Sequence, residues 1–267
     1  MGFPGEAVEV RRRVTELVTA ITRYRQLHGL HVDLRIARSV EELQARIIVR
    51  LKSEEVLHGS STAREALSRL LDERRDLILE FYREAADLTG DPPDPGDLEF
   101  ILASALRGDV ERPGSKSMLL VLQAIARAVA EIREESGGSG AELSIYCPVC
   151  GAASETMARR RGWYYMICHF CGYTWRVSGE LLTCPNCGAT APIDVGVVTD
   201  KHKRLGLAGC QRCGYTWRVL MDEHVRAPNI VIPLIAMGAE RYRSALTKAL
   251  ELAKSGDVEV DGSENLY

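Results

Sequence analysis

Residues 147–151 read Cys-Pro-Val-Cys-Gly, and the same knuckle returns as Cys168-His-Phe-Cys171-Gly172, Cys184-Pro-Asn-Cys187-Gly188 and Cys210-Gln-Arg-Cys213-Gly214. These four pairs hold all eight cysteines of the chain. Paired thiols at this spacing are metal ligands in a reducing compartment, and four pairs supply two tetrahedral sites of four thiolates each. The glycine after each pair accepts the positive φ that a tight knuckle requires. Proline after Cys147 and Cys184 pre-sets the turn.

The knuckles form an internal repeat. Cys147-Pro-Val-Cys-Gly-Ala, closing in Cys168-His-Phe-Cys-Gly-Tyr-Thr-Trp-Arg-Val177, is followed by Cys184-Pro-Asn-Cys-Gly-Ala, closing in Cys210-Gln-Arg-Cys-Gly-Tyr-Thr-Trp-Arg-Val219. A duplicated module is the simplest reading. It assigns Cys147, Cys150, Cys168 and Cys171 to one ion and Cys184, Cys187, Cys210 and Cys213 to the other. Spacing alone also allows Cys168/Cys171 to join Cys184/Cys187, at the expense of splitting the repeat. Four thiolates close the coordination shell and leave no position for water or substrate, which argues against metal-activated hydrolysis. Zinc and iron both accept this ligand set as mononuclear ions: zinc gives a structural ribbon, iron a rubredoxin-like one-electron centre. A four-cysteine iron–sulfur cluster uses the same ligands, but duplicated knuckles favour single ions.

Between the pairs lie two cationic stretches, Arg159-Arg160-Arg161-Gly162 and Lys201-His202-Lys203-Arg204, both read as hairpin tips. Arg159, Arg160, Arg161, Lys201, Lys203 and Arg204 are candidates for contact with an acidic surface or a nucleic acid. The plainer reading, modestly favoured, is a solvated turn that balances the negative metal–thiolate centre. Residues 141–226 hold ten Arg/Lys against seven Asp/Glu, which is thin for a nucleic-acid domain, so no nucleic-acid partner is expected. Trp175, Trp217, Tyr173 and Tyr215 recur at matching positions and are expected to pack beneath the knuckles. His169 is surplus to four cysteines, and His202 and His224 lack a visible nucleophile or acid partner. No Ser/His/Asp pattern, phosphate loop or dinucleotide turn occurs, so an enzyme is not expected.

Upstream, residues 1–140 lack cysteine and show helical periodicity. Helices are expected from about Pro4 to His28, from a Ser39/Glu42 capping box through Val56, from Ser61 or Thr62 to Gly90, from Leu98 to Leu106 and from Ser117 to Glu135. Asp91-Pro-Pro-Asp-Pro-Gly96 is a breaker, and Ser136-Gly-Gly-Ser-Gly140 a flexible linker. After Pro228, one helix from Ile230 to Ala253 is expected, its apolar start (Ile230, Val231, Ile232, Leu234, Ile235) docking on the N-terminal bundle. The fold class that follows is α+β and multidomain. An all-α helical domain (1–140) precedes two tandem rubredoxin-like or zinc-ribbon modules (141–181 and 182–226), a C-terminal helix (227–256) and a linker with a remnant of a cleavable tag (260–267).

The formal charge of −3 marks no general polyanion binder. Two divalent ions, each held by four thiolates, lower it to about −7. The first residues show no secretory pattern, and the apolar run from Ile230 to Ala239 is too short for a bilayer helix. A cytoplasmic location is expected, in keeping with thiols reserved for metal.

The order of these parts, a helical region, then Cys-Pro-Val-Cys-Gly, Cys-His-Phe-Cys, Cys-Pro-Asn-Cys and Cys-Gln-Arg-Cys, then a C-terminal helix, resembles the FdhE family of formate dehydrogenase accessory proteins. The layout covers nearly the whole chain, with the specific motifs confined to residues 147–219. The resemblance implies two rubredoxin-like modules binding iron through the eight cysteines named above. It also implies a non-enzymatic maturation role, in which the protein binds the catalytic subunit of a formate dehydrogenase or a related molybdenum- or tungsten-containing enzyme. Two alternatives are a zinc-ribbon nucleic-acid binder and a rubredoxin-like electron carrier. Dimerisation through the helical part is compatible with the sequence.

Overall fold

The computed structural model describes residues 4–28, 32–91, 98–109, 111–137 and 140–255. The proposed tag remnant and most of the proline-rich breaker lie outside them, as do Gly138 and Ser139 of the linker. The chain forms two compact units. Among the described residues, one comprises 4–22, 32–91, 98–109, 111–137 and the knuckle residues 148–150; the other comprises 23–28, 140–147 and 151–255.

The helical elements run in the order α1 (Pro4–His28, whose last residues from Arg23 belong to the second unit), α2 (Leu34–Lys52), α3 (Ala63–Glu73), α4 (Arg75–Thr89), α5 (Leu98–Leu106) and α6 (Ser115–Glu135), with a short 3-10 turn at Glu55–Leu57. Helix α6 is the central one and packs against α2, α3, α4 and α5. Its sequence explains this. Ala124, Ala126, Ala128 and Ala130 are all buried, and such small side chains let neighbours approach from every side. Arg127 on this helix is also buried. It donates to both carboxylate oxygens of Glu41 on α2 at 2.7 and 2.8 Å, and to Gln44 Oε1 at 2.7 Å, so the charge enters the core fully paired.

Several helix boundaries differ from expectation: α2 ends at Lys52, leaving Val56 in the 3-10 turn, and α6 begins at Ser115 rather than Ser117. Helix α2 starts at Asp33, whose carboxylate accepts from the Arg35 N–H at 2.8 Å, and Ser39 and Glu42 lie inside it. The long helix from Thr62 to Gly90 is two helices. It starts at Thr62 as expected: Thr62 Oγ1 accepts from the Glu65 N–H, and the Glu65 carboxylate accepts from the Ser61 N–H. At Arg74, however, φ −138° and ψ 43° leave the helical region, and α4 begins at Arg75.

In the second unit, β1 (Thr156–Arg160), β2 (Trp163–Ile167), β3 (Thr174–Ser178), β4 (Val195–Thr199), β5 (Leu205–Cys210) and β6 (Thr216–Leu220) make one six-stranded sheet in the order β3-β2-β1-β6-β5-β4. Each repeat contributes an antiparallel three-stranded meander. The two meanders join where β1 runs parallel to β6, with Thr156 opposite Arg218, Met157 opposite Val219 and Ala158 opposite Leu220. Trp175 and Trp217 occupy matching buried positions, and Tyr173 is buried beside the first.

After β6 the chain does not form one helix from Ile230. A 3-10 turn at Asn229–Val231 leads into α7 (Ile232–Ala236), a second 3-10 segment (Met237–Tyr242) and α8 (Arg243–Ser255). Nor is this segment's apolar surface covered as expected. Helix α7 packs against β6 and β1, and α8 lies on β4 and β5 of the sheet in its own unit. Glycines make the room. A Cβ on Gly209 would stand 2.8 Å from Leu250 Cδ1 and 3.2 Å from Leu246 Cδ2, and one on Gly196 would stand 3.3 Å from Leu250. Bare strand backbone under the helix is the alternative to a larger apolar side chain, and it lets α8 approach closely.

Candidate metal centres

Each knuckle is built by the same backbone hydrogen bonds. The glycine N–H after the second cysteine donates to the first cysteine's carbonyl: Gly151 to Cys147, Gly172 to Cys168, Gly188 to Cys184 and Gly214 to Cys210, at 2.8–3.0 Å. The first cysteine's N–H in turn donates to a carbonyl beyond the glycine: Ala152, Tyr173, Ala189 or Tyr215. These bonds close the loop only if the glycine turns left-handed, and the four glycines have φ between +74° and +78°.

The result is two groups of four sulfurs, each group within 4.8 Å of its own members: Cys147, Cys150, Cys168, Cys171 and Cys184, Cys187, Cys210, Cys213. The repeat pairing is therefore the one the fold makes. Contacts of 3.6 Å join Cys147 to Cys171, Cys184 to Cys213 and Cys187 to Cys210. A tetrahedral ion with metal–sulfur bonds of ~2.3 Å needs sulfurs roughly 3.8 Å apart, so both donor sets fit a four-thiolate metal ion. Such an ion would supply a cross-link between two knuckles and, if iron, a one-electron couple.

The two centres differ in exposure. Cys147, Cys168 and Cys171 are buried in the first, whereas in the second only Cys184 and Cys210 are, and Cys213 is exposed. Burial pushes the Cys184 thiol well up, against the N–H groups of Asn186 and Cys187. It also raises Cys210, opposed by the N–H groups of Cys213 and Arg212. For Cys213, burial is outweighed by hydrogen bonds from the Asn186 side chain and the Tyr215 N–H, which bring the thiol to about 7. That sulfur is the easiest of the three to hold as a thiolate.

The exposed cations of the two tips are not beside the sulfurs. Knuckles Cys168–Cys171 and Cys210–Cys213 form the β2–β3 and β5–β6 turns, and the cations belong to the β1–β2 and β4–β5 turns at the other end of the strands. Five residues of strand separate them by about 17 Å. That exceeds the screening length of ~10 Å at 0.1 M salt for the exposed cations at the crests of the tips. The strand register puts both tips at the same end. Arg159, Arg161, Lys201, Lys203 and Arg204 gather there, while the half-buried Arg160 donates to Asn229 Oδ1 at 2.8 Å. Asn229 Cβ lies beside Gly172, so this guanidinium turns back along the sheet. His169, His202 and His224 are exposed and outside both sulfur groups.

Sequence reasoning missed Ser154 and Ser144, which tie the repeats into place. Tyr215 donates to the Ser154 carbonyl at 2.5 Å, and Trp175 Nε1 donates to the Ser144 carbonyl at 3.0 Å. A tyrosine or tryptophan polar atom inside a core calls for such a partner, but nothing local in the sequence says which carbonyl supplies it.

The helical unit and the single sheet with its two four-cysteine groups, each able to hold a metal ion, define a twin-ribbon protein. No protein-family model matches the sequence, and no curated protein matches it significantly. Among solved structures, the crystal structure of the FdhE protein from Pseudomonas aeruginosa matches with a TM-score of 0.56 at 15% sequence identity, over 90% of this chain and 92% of that one. The chain has an FdhE-like fold.

Proposed function

We propose that the protein is a non-enzymatic accessory factor for a formate dehydrogenase or a related molybdenum- or tungsten-containing oxidoreductase. It binds the client's catalytic subunit through the metal-bearing sheet, in the cytoplasm, without becoming part of the finished enzyme. The observation that carries this reading is the coincidence of an FdhE-like fold with two closed four-cysteine groups. A closed shell offers substrate no coordination site, which favours recognition or redox poise over catalysis. Among the described residues, no helix is long and apolar enough to cross a membrane. Iron is the metal that the family resemblance implies, and zinc is the alternative with the same ligands.

The test is capture from the native host by the tagged, metal-loaded chain, read by mass spectrometry. Retention of a molybdenum- or tungsten-enzyme catalytic subunit is expected, with loss of capture on Cys168→Ser. Repeated capture without any such subunit would count decisively against the role. Elemental analysis and a visible spectrum of the same preparation distinguish iron from zinc.

A further inference from the structure

The parallel join between β1 and β6 has an effect that neither repeat has alone: it brings both cationic hairpin tips to one end of the sheet. In register, Ala158 lies opposite Leu220, so Arg159 stands level with Met221 on one side. On the other side Leu205 lies opposite Leu220, and the Met221 N–H donates to the Arg204 carbonyl at 2.8 Å. The segment leaving β6 thus runs between the two tips. Its carboxylates hold them: Asp222 pairs with Arg204 at 3.9 Å, and Glu223 pairs with Arg159 at 3.6 Å and accepts from the Gly162 N–H at 3.2 Å. The third carboxylate there, Asp200, accepts from the N–H groups of Arg204 and Leu205. All three acids are engaged in building the tips. Arg161, Lys201 and Lys203 stand exposed at their crests.

The backbone supplies an independent observation. Arg161 and Lys203, with φ of 52° and 54°, are the two non-glycine residues of positive φ among the described residues. Long side chains are disfavoured in that conformation, which glycine or asparagine adopts more readily. Both strained positions carry a cation, one on each tip, at the same end of the sheet. Strain retained at matching exposed positions points to a task for those side chains.

We propose that this end of the sheet is a docking surface for an acidic polypeptide segment, with Arg161, Lys201 and Lys203 as the contacting cations. The occupant is protein rather than nucleic acid because the surface offers bases little to stack on. Trp175, Trp217 and Tyr173 are buried. Trp163, beside the first tip, is 43% exposed, but the Arg176 guanidinium lies 4.6 Å from its ring centre and Gly179 lies close to the ring. The inference rests on the accessory role only in that a client is the natural source of such a segment.

The experiment titrates the metal-loaded full chain into a fluorescein-labelled eight-residue Asp/Glu peptide and, in parallel, an eight-nucleotide thymidine oligonucleotide, following anisotropy at low ionic strength. The peptide is expected to bind more tightly than the oligonucleotide, with affinity falling as salt rises. A double variant, Arg161→Asn with Lys203→Asn, keeps residues that accept the left-handed backbone. It should lose about tenfold in peptide affinity while its melting temperature stays level or rises. Arg35→Gln with Arg83→Gln, on α2 and α4, should bind as the parent does. Tighter oligonucleotide binding, no peptide binding, unchanged affinity in the double variant, or a fall of several degrees in its melting temperature each overturns the proposal. Client capture that survives the double variant sinks this surface and leaves the accessory role standing. Peptide binding without any client capture does the reverse.

Discussion

The Tyr215 hydroxyl, in the second repeat, donates to the carbonyl oxygen of Ser154, in the first, at 2.5 Å. Burial raises the Tyr215 phenol well above its ordinary range, with Glu155 and the nearby thiols adding to the effect, so it remains a donor at any physiological pH. Its ring stacks on Trp217 with centroids 5.8 Å apart. The bond spans the seam between repeats that share only three register pairs across β1 and β6. Tyr215→Phe keeps the ring and removes the donor, leaving a backbone carbonyl unpartnered. It should cost the cysteine unit about 1 kcal/mol. All three tryptophans lie in that unit, so fluorescence during urea unfolding reads it directly.

The duplicated Gly-Tyr-Thr-Trp-Arg-Val blocks are identical in sequence but not in environment. Trp175 Nε1 donates to Ser144, whereas buried Trp217 Nε1 has no protein partner among the described residues. Phenylalanine at either site loses similar volume, but only Trp175→Phe breaks a hydrogen bond. Trp175→Phe should therefore be the more destabilising by about 1 kcal/mol, read as a difference in urea midpoints.

Because the eight ligands divide into disjoint sets, Cys168→Ser and Cys210→Ser should each remove one ion and leave the other. Elemental analysis of the two variants checks this. In the intact protein, the group containing exposed Cys213 should yield its ion to a chelator first. A single uniform release rate would contradict the difference in burial.

Gly209 is expected to tolerate no side chain. A Cβ there meets Leu250 and Leu246 of α8, and Gly209→Val should cost about 1–3 kcal/mol by forcing the helix off the sheet. Hydrogen exchange resolves the cause: amides of α8 should exchange faster, with those of α6 unchanged.

Acid should weaken the helical unit through Glu131. Burial pushes this carboxyl up, but hydrogen bonds from Arg13 at 2.5 and 2.6 Å and the charges of Arg13, Lys52 and Arg127 outweigh it, holding the group below its ordinary value of 4.5. A carboxylate whose folded pKa is depressed stabilises fully above its unfolded value, and that contribution is lost as pH falls through the folded one. Glu131→Gln should cost about 1.5 kcal/mol near neutrality and converge with the parent at acid pH. Circular dichroism melts across that range provide the comparison.

What could be read in advance follows from how local its cause is. The knuckles, their glycines and the helix start at Thr62 are set by residues within a few positions, and each stands in the structure as its sequence implies. The break at Arg74 was hidden because Glu73-Arg-Arg-Asp76 contains only residues compatible with a continuous helix. Ser39 and Glu42 have capping-box spacing, but Asp33 provides the start. The pairing of β1 with β6 joins segments some sixty residues apart and leaves no periodic mark. The signal for α8 was present: Gly196 and Gly209, unusual inside strands, mark where the helix approaches bare backbone.

The β1–β6 seam joins the first strand of one repeat to the last strand of the other, so unlike partners meet. A contact of that kind has no internal limit: β3 and β4 are again a last and a first strand, and a second molecule could continue the series into a fibre. The chain supplies its own stop. Ala141 bridges to Arg176 on the free side of β3, and the Glu142 N–H donates to the Arg176 carbonyl at 2.9 Å. The short stretch entering the first knuckle thus doubles as a terminator, using up a hydrogen-bonding position that polymerisation would need.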